Sequence, residues 1–258
     1  MAPDLEQVLR ARRESGGHAF VPYVTGGYPG VDAALLRGLE AAGADAVEVG
    51  IPFSDPVMDG GVIQEASRVS LERGTRPADV LDTVVEAELE IPVATMTYIN
   101  PVFRRGFAPF LDDLASAGVA GVIVPDLPVD EAGPFGAAAA ERGIANVLLA
   151  APGTTPERTA RIGSESRGFV YCVATYGVTG SRDDLAGTAL QLVQALRPVT
   201  DLSLLIGVGI GAPAQAVEAC GFADGVIVGS ALMSRLLEGD RVGALRLAES
   251  FGEAIHAA

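Results

Sequence analysis

Eight short apolar runs recur along the chain at intervals of about 25 to 30 residues, separated by stretches whose apolar side chains follow helical spacing. The runs fall at 19–24, 45–50, 92–99, 121–124, 146–150, 169–173, 203–207 and 225–228. A parallel strand covered by helices on both faces reads as a near-continuous Val/Ile/Leu run. Alternation of such runs with helical stretches predicts βα units and a parallel sheet. The helical stretches fall at 31–42, 78–88, 107–117, 130–142, 156–166, 185–196, 213–220 and 232–257. Residues 3–14 read as an extra N-terminal helix able to plug one end of a barrel. There is no linker and no low-complexity segment between the units. Eight unbroken units favour one closed barrel over an open doubly wound sheet, because closure leaves no exposed edge strand. The prediction is an α/β chain, a single (β/α)8 TIM-barrel domain over 1–258, since 258 residues match the typical ~250 of that fold.

Composition narrows the chemistry. The net charge is −15 with a pI near 4.5. Binding nucleic acid through phosphates needs clustered basic side chains, and anionic membrane surfaces attract the same, so neither partner is expected. All 18 basic residues are arginines. Mechanisms that need a Lys imine or a Lys general acid are therefore excluded. The two histidines, His18 and His256, lie apart from the motif-bearing segments and read as solvated, which predicts no metal site. Cys172 and Cys220 sit in apolar surroundings and read as buried core thiols. The charged N-terminus lacks the apolar core of a signal peptide, and no apolar run reaches the ~18 residues of a membrane span. A cytoplasmic protein is expected. The chemistry is left to Asp, Glu, Tyr, hydroxyls and backbone groups, with no cofactor.

Two carboxylates stand out in Glu48-Val-Gly-Ile-Pro-Phe-Ser-Asp-Pro-Val-Met-Asp59, where the second run passes into a loop. Strand alternation sends Glu48 inward if Val47 and Val49 face the helices. Loops after strands form the active-site face of this fold, so Glu48 and Asp59 are the candidate acid/base pair. An apolar setting raises the Glu48 pKa, whereas Asp59 on a wetter loop is expected to keep its ordinary value. Taken alone, Asp59 before Gly60-Gly61 also suits a helix N-cap, and Asp55 in Ser-Asp-Pro also suits a turn. Glycines in Gly177-Val-Thr-Gly180, in Gly207-Val-Gly209-Ile-Gly211 and in Gly229-Ser230 follow strands six, seven and eight. Glycine lets backbone amides approach an anion, and a helix N-terminus adds partial positive charge, so these loops are a candidate phosphate site without lysine. Tyr23, Tyr98 and Tyr171 fall near strand ends. With Met96, Ile123, Leu149, Val208 and Ile227 they are candidates to line an apolar pocket for a flat ring.

Phe20-Val-Pro-Tyr-Val-Thr-Gly, Gly50-Ile-Pro-Phe-Ser-Asp-Pro, Asp59-Gly, Tyr98-Ile-Asn-Pro, Pro125-Asp-Leu-Pro, Gly177-Val-Thr-Gly and Gly207-Val-Gly-Ile run in order over nearly the whole chain. In these segments the sequence resembles the tryptophan synthase α subunit family. The resemblance implies a carbon–carbon lyase that cleaves indole-3-glycerol phosphate to indole and glyceraldehyde 3-phosphate in L-tryptophan biosynthesis. It implies catalysis by Glu48 and Asp59, a phosphate held by Gly180, Gly209, Gly211, Gly229 and Ser230, and Thr179 as a hydroxyl that bonds Asp59. It implies that Pro52, Asp55, Pro56, Asn100 and Phe103 face a β subunit, with two α subunits on a β dimer in a heterotetramer. Met58, Gly61, Thr175-Tyr176 and Val208 depart from the commoner pattern of the family without removing a catalytic group. Three other readings remain open on the residues alone: a stand-alone lyase releasing free indole, a silent barrel that only activates a partner, and another phosphate-binding barrel enzyme.

Overall fold

The computed structural model describes residues 3–173, 182–207 and 209–258. Eight strands pair in parallel and in sequence order: β1 (Ala19–Thr25), β2 (Val47–Gly50), β3 (Val93–Met96), β4 (Gly121–Ile123), β5 (Ala145–Ala150), β6 (Phe169–Val173), β7 (Ser203–Gly207) and β8 (Gly225–Val228). β8 then pairs with β1 and closes the barrel. Around it lie α1 (Leu5–Glu14), α2 (Ala33–Ala41), α3 (Gly61–Glu72), α4 (Pro77–Ala87), α5 (Ile99–Arg105) and α6 (Phe107–Ser116). The second half carries α7 (Gly133–Ala140), α8 (Pro156–Glu165), α9 (Arg182–Leu196), α10 (Pro213–Cys220), α11 (Ser230–Leu237) and α12 (Arg241–His256).

Local sequence explains most helix starts. Asp4, Asp32 and Asp240 accept the backbone N–H of Gln7, Leu35 and Gly243, each three residues on, at 2.8–2.9 Å. A side-chain oxygen there satisfies one of the orphan amides of a first turn. Pro77, Pro156 and Pro213 open α4, α8 and α10, where a missing N–H costs nothing.

Besides shifts of up to three residues at helix ends, as at the starts of α7 and α9, three expectations differ from the structure. The run at 92–99 ends as a strand at Met96, and Ile99 begins α5 instead. The Asp126 carboxylate accepts the Ile99 N–H at 2.8 Å, and Pro101 sits in the first turn, so this segment has helix-start chemistry that an apolar run conceals. The stretch 232–257 is two helices, because Gly239 takes a left-handed φ of 77° and Asp240 caps the next start. α3 occupies the long interval between β2 and β3, for which the sequence suggested only a start near Gly60.

The barrel floor is plugged by α1. Leu5 and Leu9 are buried, and a methyl placed on Gly121 or Gly168 would lie 2.5 or 3.1 Å from the Leu5 side chain. The two histidines also belong to this rim and are not simply solvated. His256 Nε2 lies 3.1 Å from Asp45 Oδ2, and His18 Nδ1 lies 3.2 Å from the Ala223 carbonyl. Asp45 further accepts the Phe20 N–H at 2.8 Å and pairs with Arg12 at 3.4 Å, so one carboxylate ties α1, β1 and α12 together. Cys172 and Cys220 are buried free thiols.

Truncating a buried leucine costs about 2–5 kcal/mol. Leu5→Ala is expected to lower the denaturant midpoint accordingly while leaving turnover at low temperature unchanged, since the plug lies at the end opposite the loops that follow the strands. A parallel loss of turnover in the folded variant would show that the floor controls the mouth.

Candidate active site

A cavity of about 410 Å³ opens at the C-terminal ends of the strands. Tyr23 of β1, Glu48 of β2, Met96 of β3, Tyr171 of β6 and Ile227 of β8 line it from the barrel interior. Met58, Asp59, Gly60 and Ile63 close one side from the loop after β2 and the first turn of α3. Gly209, Ile210 and Gly211 after β7, and Gly229, Ser230, Ala231 and Ser234 at the start of α11, close the other.

Glu48 is the most constrained of these residues. In the β-ladder it pairs with Tyr23 on one side and Ala94 on the other, and its side chain points inward. It is 1% exposed, and neither carboxyl oxygen has a hydrogen-bond partner among the described residues. A carboxylate without water or a donor is strongly disfavoured, so the neutral acid is the stable form. Burial first, and the nearby Asp59 charge second, raise its pKa to about 8.

Asp59 sits half-buried across the cavity. Its pKa is also raised, to about 6, so the expectation of an ordinary value on a wet loop does not hold. Burial is again the cause, and a hydrogen bond from Tyr98 opposes it. The order of the pair survives: near neutral pH Glu48 holds its proton while Asp59 is mostly ionised.

Two glycines make room for the aromatic walls. A methyl on Gly50 would lie 2.1 Å from the Tyr23 hydroxyl, and one on Gly207 would lie 2.3 Å from the Tyr171 ring. Neither tyrosine fits the barrel mouth beside an alanine at these strand ends.

The glycine loops divide in their hydrogen bonding. The Gly211 and Ala212 amides donate to Gln215 Oε1 at 2.8 and 3.0 Å, so the Gly211 N–H already has a partner. Gly229 caps α11: the Leu232 and Met233 amides both donate to its carbonyl at 3.0 Å, which leaves those of Ser230 and Ala231, two residues that line the cavity, without an intrahelical acceptor. Gly209 takes a left-handed φ of 89°, a conformation that favours glycine.

Among the predicted pocket residues, Tyr98, Ile123 and Leu149 do not reach the described walls. Ile123 is fully buried and Leu149 half-buried in the barrel, whereas Tyr98 stands behind Asp59. Thr175, Tyr176, Thr179, Gly180 and Val208 lie outside the described residues. The lining residues that sequence reasoning missed are Met58, Gly60, Ile63, Ile210, Ala231 and Ser234. Ser234 was discoverable, being one helical turn beyond Ser230. Of the segments expected to face a partner, Asp55, Asn100 and Phe103 are exposed, Pro56 is half-buried and Pro52 is buried. Phe103 at 63%, in α5, and Val57 at 76%, in the loop after β2, leave apolar side chains exposed. Among the described residues no cluster of three or more His, Cys, Asp or Glu could hold a metal, and no helix is long and apolar enough to cross a membrane.

A closed eight-stranded barrel with two unlike carboxyl groups at its C-terminal mouth defines a TIM-barrel enzyme of the acid–base kind. The family model described as tryptophan synthase alpha chain matches residues 9–254. The tryptophan synthase alpha chain of Microcystis aeruginosa is 42% identical over 250 residues, covering 95% of each chain. That of Streptomyces avermitilis is 43% identical over 240 residues, covering 92% of this chain and 87% of its own. Among solved structures, Mycobacterium tuberculosis tryptophan synthase superposes with a TM-score of 0.90 at 38% identity over 99% of both chains. Tryptophan synthase subunit alpha from Legionella pneumophila superposes with 0.89 at 31% identity over 98% of both. The chain belongs to the tryptophan synthase alpha chain family, the lyases of the α reaction in tryptophan biosynthesis, which work with a β-subunit partner.

The raised carboxyl values fix a pH dependence of stability. The folded chain keeps the Glu48 proton between pH 4.5 and about 8, a window in which the unfolded chain has already released it. Stability therefore falls as pH rises through that window, by an amount on the order of a few kcal/mol. Glu48→Gln cannot titrate and is expected to melt several degrees above the parent at pH 8 but close to it at pH 5. Parallel melting curves at both pH values would contradict the buried, neutral acid.

Proposed function

We propose that Glu48 and Asp59 perform the α reaction on indole-3-glycerol phosphate, releasing indole and glyceraldehyde 3-phosphate. The single observation that carries this reading is one cavity with Glu48, buried and without a hydrogen-bond partner among the described residues, on one wall and Asp59 on another. The bond to be broken joins indole C3 to the glycerol chain, and the electron-rich ring leaves only after C3 is protonated. Glu48 donates that proton. Asp59 accepts the indole N–H and stabilises the positive charge that spreads to nitrogen. The Glu48 carboxylate then takes the proton of the hydroxyl next to the scissile bond. The O–H electrons form the carbonyl, the C–C pair returns to the ring, and Glu48 ends protonated. No external proton and no cofactor enters the balance.

The Ser230 and Ala231 amides at the start of α11 and the Ser230 hydroxyl, together with the Gly209 loop, hold the phosphate. Tyr23, Met96, Tyr171 and Ile227 enclose the ring. Binding energy from the phosphate end orients the ring over the two carboxyls, which is how a remote group contributes to rate. Indole passes to a β subunit, seated on the exposed Asp55, Val57, Asn100 and Phe103 face, with two α subunits on a β dimer. The active chain is one cytoplasmic barrel domain over 1–258.

Positioned proton transfer contributes roughly 10²–10⁴-fold. Glu48→Gln and Asp59→Asn are each expected to lower kcat at least ~100-fold with circular dichroism unchanged. Near-normal turnover in either variant refutes its role. Product analysis on indole-3-glycerol phosphate, with and without a β subunit, should show indole in both cases and faster turnover with the partner. A chain that yields no indole in either case is not this lyase.

A further inference from the structure

The backbone amides at 209–212, in the loop from β7 to α10, fall into two pairs. The outer pair, Gly211 and Ala212, both donate to Gln215 Oε1, at 2.8 and 3.0 Å. The inner pair, Gly209 and Ile210, have no acceptor among the described residues, and both residues line the cavity. Gln215 belongs to the first turn of α10, where its own amide donates to the Ala212 carbonyl at 3.0 Å. Its side chain therefore folds back over the loop that leads into its helix, as the third residue of a helix does in a capping box. Packing does not do this work in its place. Gly211 and Ala212 are exposed, and a methyl on Gly211 would meet only Gln215 Oε1, at 3.5 Å, among the described residues. Gly209, at a left-handed φ of 89°, brings backbone freedom rather than a side chain that could hold the loop's shape.

We infer that Gln215 is a positioning residue for the phosphate: it takes the two outer amides of this loop and so fixes the two inner ones, Gly209 and Ile210, as the donors that meet the anion. The inference rests on the reading of this end of the cavity as the phosphate site, and it adds a residue that does not itself line the cavity. Without the tether, a glycine-rich loop has several ways to present its amides, and substrate has to order it at each encounter. Ordering at the moment of binding subtracts from affinity, whereas a loop already held does not carry that cost. The neutrality of the side chain matters as well. Glutamate suits this helix position equally, but its carboxylate would set a second negative charge beside the bound anion. A carboxamide oxygen holds the amides without that repulsion.

Gln215→Ala frees both outer amides and leaves every cavity-lining side chain in place. The KM for indole-3-glycerol phosphate is expected to rise about 3- to 10-fold, with kcat at saturation changed less than ~2-fold. Calorimetric affinity for glycerol 3-phosphate should fall by the same factor. Affinity for indole, which carries no phosphate, should stay within ~2-fold of the parent. The lost helix cap lowers Tm by only about 2–4 °C, so the variant remains folded for all three measurements. Ser230→Ala, measured alongside, tests the phosphate site itself. An affinity for glycerol 3-phosphate lowered by Ser230→Ala but untouched by Gln215→Ala leaves the site standing and overturns the role of Gln215, which is then a helix cap alone. An equal loss of indole affinity in Gln215→Ala also overturns it. An affinity that neither substitution alters overturns the phosphate site, and the inference with it.

Discussion

The structure turns on the solvation of one carboxyl group. Glu48 sits on a barrel strand with both oxygens buried and unpartnered. In most cores that arrangement is a defect, because the charged form loses its water and gains nothing in return. Here it sets the chemistry: the group stays an acid at a pH where an exposed glutamate has long been ionised. The barrel makes this possible. A strand fixed on both sides by its neighbours holds the side chain inward and denies it the backbone amides that a loop would supply. Asp59, carried by such a loop, keeps more contact with solvent and remains the more acidic of the two. The difference between the two carboxyls thus follows from secondary structure, with the one that keeps its proton on the rigid strand and the more acidic one on the segment after it.

The same geometry sets the stability of the fold against its activity. The leucines of α1 and the Asp45 hub lie at the end opposite the mouth and stabilise the barrel without shaping the site. At the mouth the requirements reverse. Gly50 and Gly207 give up side-chain packing so that Tyr23 and Tyr171 can cross the opening. Phe103 and Val57 remain in water, which is unfavourable for an isolated chain and favourable for one that docks.

Much of this was legible in the residues. Seven strands lay within about two residues of their expected bounds because a covered parallel strand is written as an unbroken apolar run. The eighth, β3, was overextended for the same reason: Ile99 is apolar, while the Asp126 cap that starts α5 comes from 27 residues away and leaves no local trace. Glu48 announced itself as a carboxylate inside such a run. The true setting of Asp59 did not, since its burial arises from separate segments meeting in space. Tyr98 was read as pocket wall from its place at a strand end, and the turn into α5 sends it behind Asp59 instead. The glycines after β7 were read as one anion loop, whereas the Gly211 amide is taken by Gln215, a helix-start interaction that spacing alone does not distinguish from an open nest.

The absence of lysine acquires a physical meaning at this site. A phosphate-binding pocket in a chain of net charge −15 would ordinarily recruit a guanidinium, and 18 arginines are available. None of the described residues lining the cavity is an arginine. A cation within about 4–6 Å of Glu48 would favour its ionised form and pull its pKa down by 1–3 units, toward the value of Asp59. The two carboxyls would then lose the difference that lets one donate while the other accepts. Backbone amides at a helix start attract an anion with partial charges that fall off within a turn, so they serve the far end of the cavity without discharging the acid at the near end. In the proposed reading, neutral donors for the phosphate and a proton kept on Glu48 are therefore two consequences of one electrostatic requirement.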